Sequence, residues 1–182
     1  MKKIYLASDS FRDLEEVMAR MPGIKETQVG YVNPSQATAA DTEVAAGNTD
    51  AAECVCVSYN PNFVDITSIL SLYFKIVNPY VIPDTPKHRT GVYYESWEDL
   101  IQIEYYFRFL TTRGMEPVTT DSNIVMNDSV TRGIERRPLL TELGKLQRFV
   151  PAPEEEQRYL QKHAEASSKY DLEALKADGL IK

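Results

Sequence analysis

The sequence predicts an α+β fold: a two-layer α/β sandwich, with helices packed on a mixed sheet. Two observations carry this. Strand-like and helix-like segments alternate along most of the chain, and each helical segment has an apolar face to lay on a sheet. A chain of 182 residues with 43% hydrophobic content is also enough to bury one core of ordinary size.

Residues 3–7 read as the first strand. Asp9 or Ser10 caps a helix that runs to about residue 21, with Phe11, Leu14, Val17, Met18 and Met21 on one face. Pro22-Gly23 stops it. Residues 24–32 form a second strand, and residues 33–49 a polar, alanine-rich connection. Residues 53–59 alternate with β-branched residues and form a central strand, followed by an Asn60-Pro61-Asn62 turn. Residues 65–77 form a helix with Ile66, Ile69, Leu70, Tyr73, Phe74 and Val77 inward. Pro79, Pro83 and Pro86 make residues 78–87 a loop, and 91–94 a short strand follows. Ser96 caps a helix over residues 97–112, with Glu98 and Asp99 in its first turn and Gly114 after its end. Residues 115–137 are a polar excursion. A last strand covers 139–143 and a helix 154–163. Residues 164–182 read as a solvated terminal helix with a frayed end. The organisation is one domain over 1–163, with an insertion-like excursion at about 115–137, and a charged helical tail over 164–182.

The formal charge of -7 argues against nucleic acid as a partner. A membrane span needs about 18 apolar residues in a row, and none is present. The Met-Lys-Lys start lacks the apolar stretch of a signal peptide, so a cytoplasmic location is expected. The only two cysteines are Cys54 and Cys56. On a strand they share a face with side chains roughly 7 Å apart, too far for a disulfide. No second Cys/His cluster completes a metal site, so neither metal nor cofactor is expected. Alternation also decides their role: where Glu53 faces a site, both thiols face away, buried against a helix layer and inert.

An ordered set of segments resembles the A-type peptide methionine sulfoxide reductases. Ile4-Tyr5-Leu6-Ala7 leading to Ser10-Phe11 resembles the family's strand before its Gly-Cys-Phe-Trp-Gly motif. Val29-Gly30-Tyr31 resembles its Val-Gly-Tyr. Ala51-Ala52-Glu53, with Val55, Val57 and Ser58-Tyr59-Asn60-Pro61, resembles its Gly-His-Ala-Glu strand and Tyr-Asp-Pro turn. His88-Arg89-Thr90-Gly91-Val92-Tyr93-Tyr94 resembles its Gln-Tyr-Arg-Ser-Gly-Ile-Tyr-Tyr. Phe149-Val150-Pro151-Ala152, with Glu155, Gln157 and Tyr159-Leu160, resembles its Phe-Tyr-Pro-Ala-Glu ending.

The resemblance implies a ferredoxin-like core. It also implies a chemistry: a thiolate attacks the sulfur of the S epimer of methionine sulfoxide, methionine leaves, and a second thiol resolves the sulfenic acid. In that scheme Ser10 occupies the nucleophile position and Glu53 the acid position. Phe11, Arg12, Tyr31, Asp84 and His88 occupy substrate-binding positions. Arg12 stands for the tryptophan, His88 for a tyrosine, and the resolving cysteine expected near Ala45 is absent. Arg12 otherwise reads as a solvated helix residue, as a partner of Glu15 or Glu16, or as a holder of an anion.

Serine has no comparable oxidation ladder and ionises far less readily than cysteine. Ser10 is then a helix cap, and a Ser10–His88 hydrolase pair is the other chemistry it allows. The expected function is therefore that of a divergent member without reductase activity. Its pocket would take methionine sulfoxide, or a peptide or protein carrying it. The alternative is an active reductase lineage, supported by a thioredoxin-type dithiol reductant, in which Ser10 is a deliberate replacement of cysteine. That explains position 10 alone and leaves Ser8-Asp9, Arg12 and the missing resolving thiol unexplained.

Overall fold

The computed structural model describes residues 1–36, 39–111 and 138–182. The sequence-based expectations for Gly114 and for an excursion at 115–137 lie outside these residues. Lys2–Ala7 forms β1, Phe11–Arg20 α1, Ile24–Val32 β2, Asp41–Ala45 α2, Ala52–Tyr59 β3, Ile66–Ile76 α3, Gly91–Tyr94 β4 and Trp97–Thr111 α4. Beyond residue 137, Glu142–Lys145 forms β5, Phe149–Pro151 β6, Tyr159–Lys162 α5 and Leu172–Ala177 α6.

The six strands lie in the order β5-β4-β1-β3-β2-β6. β1 is antiparallel to β3 and to β4, and β2 is antiparallel to β3 and β6, whereas β5 joins β4 in parallel. The inner four strands, β4-β1-β3-β2, with α1 and α3 as crossovers, make the β-α-β-β-α-β unit of ferredoxin-like folds. The mixed α+β sandwich expected from the sequence is therefore present.

One sheet face carries Ile4, Leu6, Val29, Val55, Val57 and Val92, packed in one core with Leu14, Val17 and Met18 of α1 and Ile69, Leu70 and Tyr73 of α3. Asp65 caps α3 by accepting from the Ser68 N–H at 2.6 Å. Tyr73 ties α3 to the sheet: its hydroxyl, fully buried, donates to the Ala7 carbonyl at 2.5 Å. The opposite face is covered differently. Tyr5, Val32, Cys54, Cys56 and Tyr93 pack there with Leu146 and Phe149, none of them helical. Gly30 permits that cover, because a Cβ there would stand 2.6 Å from the Phe149 ring and 2.5 Å from the Val150 carbonyl.

Four expectations need correction. The 33–49 connection contains a short helix, α2, seated by the buried Val44. The 139–143 strand lies further on as β5, and residues 149–151 add a further edge strand, β6. The 154–163 helix shrinks to the single turn of α5. The reason is local competition for the backbone. The Gln157 amide accepts from Val29 N–H at 2.9 Å and donates to the Val29 and Ala152 carbonyls at 2.9 and 2.8 Å. Glu15 takes the Arg158 N–H at 2.7 Å, with Arg158 in the left-handed region at φ 53°. A regular helix cannot meet these contacts. Finally, residues 164–182 are not simply solvated. Leu175 and Ile181 are buried in the main core, and Lys182 N–H donates to the Arg20 carbonyl at 3.1 Å.

Leu175→Ala should therefore cost about 2–3 kcal/mol of unfolding free energy, as core truncations do. Urea melts measure this; a loss under about 0.5 kcal/mol, the surface norm, would mean the segment is not packed.

Candidate functional site

Glu53 lies near the start of the central strand, its side chain on the helix-facing side with Val55 and Val57. Three neighbours converge on its carboxyl group. The first is the start of α1. Phe11 N–H donates to Glu53 Oε2 at 3.4 Å, and Ser8 N–H donates to the Glu53 carbonyl at 3.1 Å. The second is a 3₁₀ turn, Pro86–His88, which sets Lys87 Nζ and His88 Nε2 each 3.8 Å from Glu53 Oε1. Arg89 anchors that turn, its guanidinium donating to the Pro86, Asp50 and Asn33 carbonyls at 2.7, 2.5 and 3.0 Å. The third is Tyr31, directly across the β2–β3 pair from Glu53. Its ring lies 5.6 Å from that of Phe11, with Lys87 Nζ 5.6 Å away over the Tyr31 ring. Gly47, at φ 69°, lets the chain pass close by: a Cβ there would stand 3.1 Å from the Tyr31 hydroxyl and 2.8 Å from Lys87 Nζ.

The remaining candidates stand apart from this cluster to different degrees. Asp84 is exposed and reaches it through His88, whose Nδ1 lies 2.9 Å from Asp84 Oδ1. Ser10 is the N-cap of α1. Its hydroxyl donates to Asp13 Oδ2 at 2.5 Å and accepts from Asp13 N–H at 3.4 Å. His88 is turned to Asp84 and Glu53, so the Ser10–His88 pair considered from the sequence is not formed. Arg12 pairs with neither Glu15 nor Glu16. It holds both oxygens of Glu156 at 2.6 and 2.7 Å and lies 3.8 Å over the Tyr159 ring.

Burial raises the Glu53 carboxyl above the ordinary carboxylate value, against the opposing pull of the Phe11 N–H and the charges of Lys87, His88 and Arg12. Burial and the nearby Glu53 also raise Tyr31. Both shifts favour the protonated form, which donates a hydrogen bond. Asp84 goes the other way, held below its usual value by the hydrogen bond from His88.

Cys54 and Cys56 are 0% and 4% exposed on the opposite sheet face. Burial pushes both thiols up, so the reactive thiolate is disfavoured. They are covered by aromatic side chains and Leu146 rather than by the helix layer that the sequence suggested. Among the described residues, no three His, Cys, Asp or Glu side chains are grouped to hold a metal ion. No helix among them is long and apolar enough to cross a membrane.

The sequence profile of the family described as peptide methionine sulfoxide reductase matches residues 2–180. The chain belongs to the peptide methionine sulfoxide reductase family. The peptide methionine sulfoxide reductase MsrA of Clostridium botulinum is 29% identical over 168 residues, covering 90% of this chain and 94% of that protein. Its counterpart in Clostridium tetani is 30% identical over 168 residues, 90% of each. The solved methionine sulfoxide reductase A of Corynebacterium diphtheriae superposes with a TM-score of 0.69 at 18% identity, over 93% of this chain and 78% of that one. Mxr1 of Saccharomyces cerevisiae in reduced form gives 0.67 at 22%, over 91% and 87%. These two share the fold.

Within this chain, sequence reading missed Lys87 and Glu156. Pro86 is the one signal that would have found Lys87, because it opens the turn that sets residues 87 and 88 side by side. Glu156 meets Arg12 from 144 residues away, and nothing local announces it.

Two outcomes follow. A soluble aromatic disulfide reagent should leave both cysteines unlabelled in the native protein and label both after denaturation; rapid native labelling would show an accessible thiol. The Glu53 carboxyl has a raised folded value, so its contribution to stability is complete below the unfolded value of about 4.3 and fades as pH rises through the folded one. Glu53→Gln should match the parent in acid and exceed it in stability at neutral pH, as urea melts across that range would show.

Proposed function

We propose that this protein recognises methionine sulfoxide in peptides at the Glu53 site and does not reduce it. One observation carries the reading. The two cysteines of the chain are buried on the far side of the sheet, and the α1 N-terminus, where the resemblance puts the family's nucleophile, carries Ser10. Thiol-dependent reduction needs a thiolate to attack sulfur and become a sulfenic acid. The Ser10 hydroxyl is a weakly acidic oxygen with no such ladder, and no histidine activates it for hydrolysis.

What the site retains is suited to binding. A protonated Glu53 carboxyl donates to the sulfoxide oxygen. Tyr31 and Lys87 supply further donors, and the Phe11 and Tyr31 rings form an apolar floor for the methyl group. His88 and Asp84 hold the outer side. A dithiol reductant has no role in this reading. A reducing compartment such as the cytoplasm fits two free thiols.

The test uses an acetylated peptide carrying methionine (S)-sulfoxide. With excess dithiothreitol, chromatography should find no methionine formed. The same peptide should raise the melting temperature: at about 100 times Kd the stabilisation is about 2.7 kcal/mol, or about 5–10 °C for a chain of this size. Glu53→Ala and Tyr31→Phe should reduce that shift. Turnover by the unaltered protein, or no shift at saturating peptide, would overturn the reading. Ser10→Cys isolates the missing nucleophile, and turnover confined to that variant would show the acid and pocket still competent.

A further inference from the structure

A second concave feature begins where His88 ends. A cleft of about 550 Å³ lies between the end of α3, the proline-rich loop after it and the C-terminal segment. Its volume is that of a small-ligand pocket. Val81 and Ile82 stand on its wall, 53% and 78% exposed, with Tyr170 contributing an aromatic ring from the C-terminal segment. Apolar side chains held this open to water on a loop gain by being covered.

The polar lining has a sign. Asp9 and Asp84 supply two carboxylates and Lys169 one ammonium. Lys169 Nζ is already paired with Asp9 Oδ1 at 2.5 Å. With histidine counted neutral, Asp84 leaves the lining with one net negative charge. Asp84 is also the residue that His88 joins to Glu53, through contacts of 2.9 and 3.8 Å on the two ring nitrogens. One imidazole thus separates the cleft from the sulfoxide-binding carboxyl. Extended chain advances about 3.3–3.6 Å per residue, so a side chain one or two positions from the sulfoxide reaches the cleft.

We infer that this cleft selects the sequence around the oxidised methionine, taking an apolar neighbouring side chain against Val81, Ile82 and Tyr170 with a lysine or arginine beyond it at Asp84. This rests on the proposed recognition of methionine sulfoxide at Glu53. It makes the ligand a peptide segment of defined character rather than the free amino acid.

Calorimetry with four ligands tests it. The first is N-acetyl methionine sulfoxide amide. The others are pentapeptides with methionine sulfoxide at the centre: leucine neighbours with terminal lysines, glycine neighbours with terminal lysines, and leucine neighbours with terminal aspartates. The leucine–lysine peptide should bind at least tenfold more tightly than the other two. The double variant Val81→Ser, Ile82→Ser should remove the advantage over the glycine peptide, keep that over the aspartate peptide, and leave the small amide's affinity unchanged. Equal affinities for the three peptides, or an unaltered preference for leucine over glycine in the double variant, would overturn the cleft's role while the amide still bound. Failure of the amide and of every peptide to bind would overturn the Glu53 reading itself, and the cleft's role with it.

Discussion

β3 runs through the middle of the sheet, bonded to β1 on one side and β2 on the other. Its register is fixed, because a slip of one residue would turn Val55 and Val57 out of the helix-facing core. The same register places Glu53 under the start of α1 and both cysteines on the other face. No side-chain motion can bring Cys54 to the Glu53 carboxyl, because strand alternation separates them by the thickness of the sheet. The chemistry open to the site is limited by this backbone constraint before any question of reactivity arises.

The surroundings of Glu53 are held by contacts distant in sequence. Arg12 grips Glu156, Glu15 grips the backbone of Arg158, and Gln157 reads the edge of β2. Together they fasten residues 152–159 along α1 and β2. Asp13 adds the last link, accepting both the Ser10 hydroxyl hydrogen and the Lys169 N–H. The first turn of α1 is therefore committed on two sides: inward to Glu53 through Phe11 N–H, and outward to the C-terminal segment. A Ser10 hydroxyl so engaged is a structural cap.

Much of this was legible from the sequence, for definite reasons. β2 and β4 fall within the expected 24–32 and 91–94, because alternating β-branched and aromatic residues between turn signals leave little choice. α1 and α3 were legible from their apolar spacing, and α1 also from a cap expected at Asp9 or Ser10. The juxtaposition of Glu53, Tyr31, Phe11 and His88 came from the family resemblance and not from periodicity. What escaped depends on long-range side-chain capture of backbone. The helical pattern over 154–163 is genuine, yet Gln157 and Glu15 offer its amides better partners than the helix does. The charged composition of 164–182 hides only two deeply buried apolar residues, Leu175 and Ile181, and they are enough to dock it. Arg12 was misjudged for the same reason: its local partners Glu15 and Glu16 are engaged elsewhere, by Arg158 and by Arg20.

On the proposed reading, a retained acid and an absent thiol have different physical consequences. An acid whose protonated form is favoured by burial stabilises a sulfoxide oxygen in the bound state as well as in any transition state. A nucleophile matters in the transition state alone. Losing the nucleophile while keeping the acid removes rate without removing affinity. A pocket altered in this direction would, on the proposed reading, bind oxidised methionine and hold it. The constraint that binding places on the fold is also weaker than that of catalysis: it needs Glu53 protonated and Tyr31 and Phe11 in place, not an attacking atom aligned to a fraction of an ångström. Arg12, which the resemblance sets where the family has an aromatic wall residue and which is occupied with Glu156, fits the first requirement and not the second.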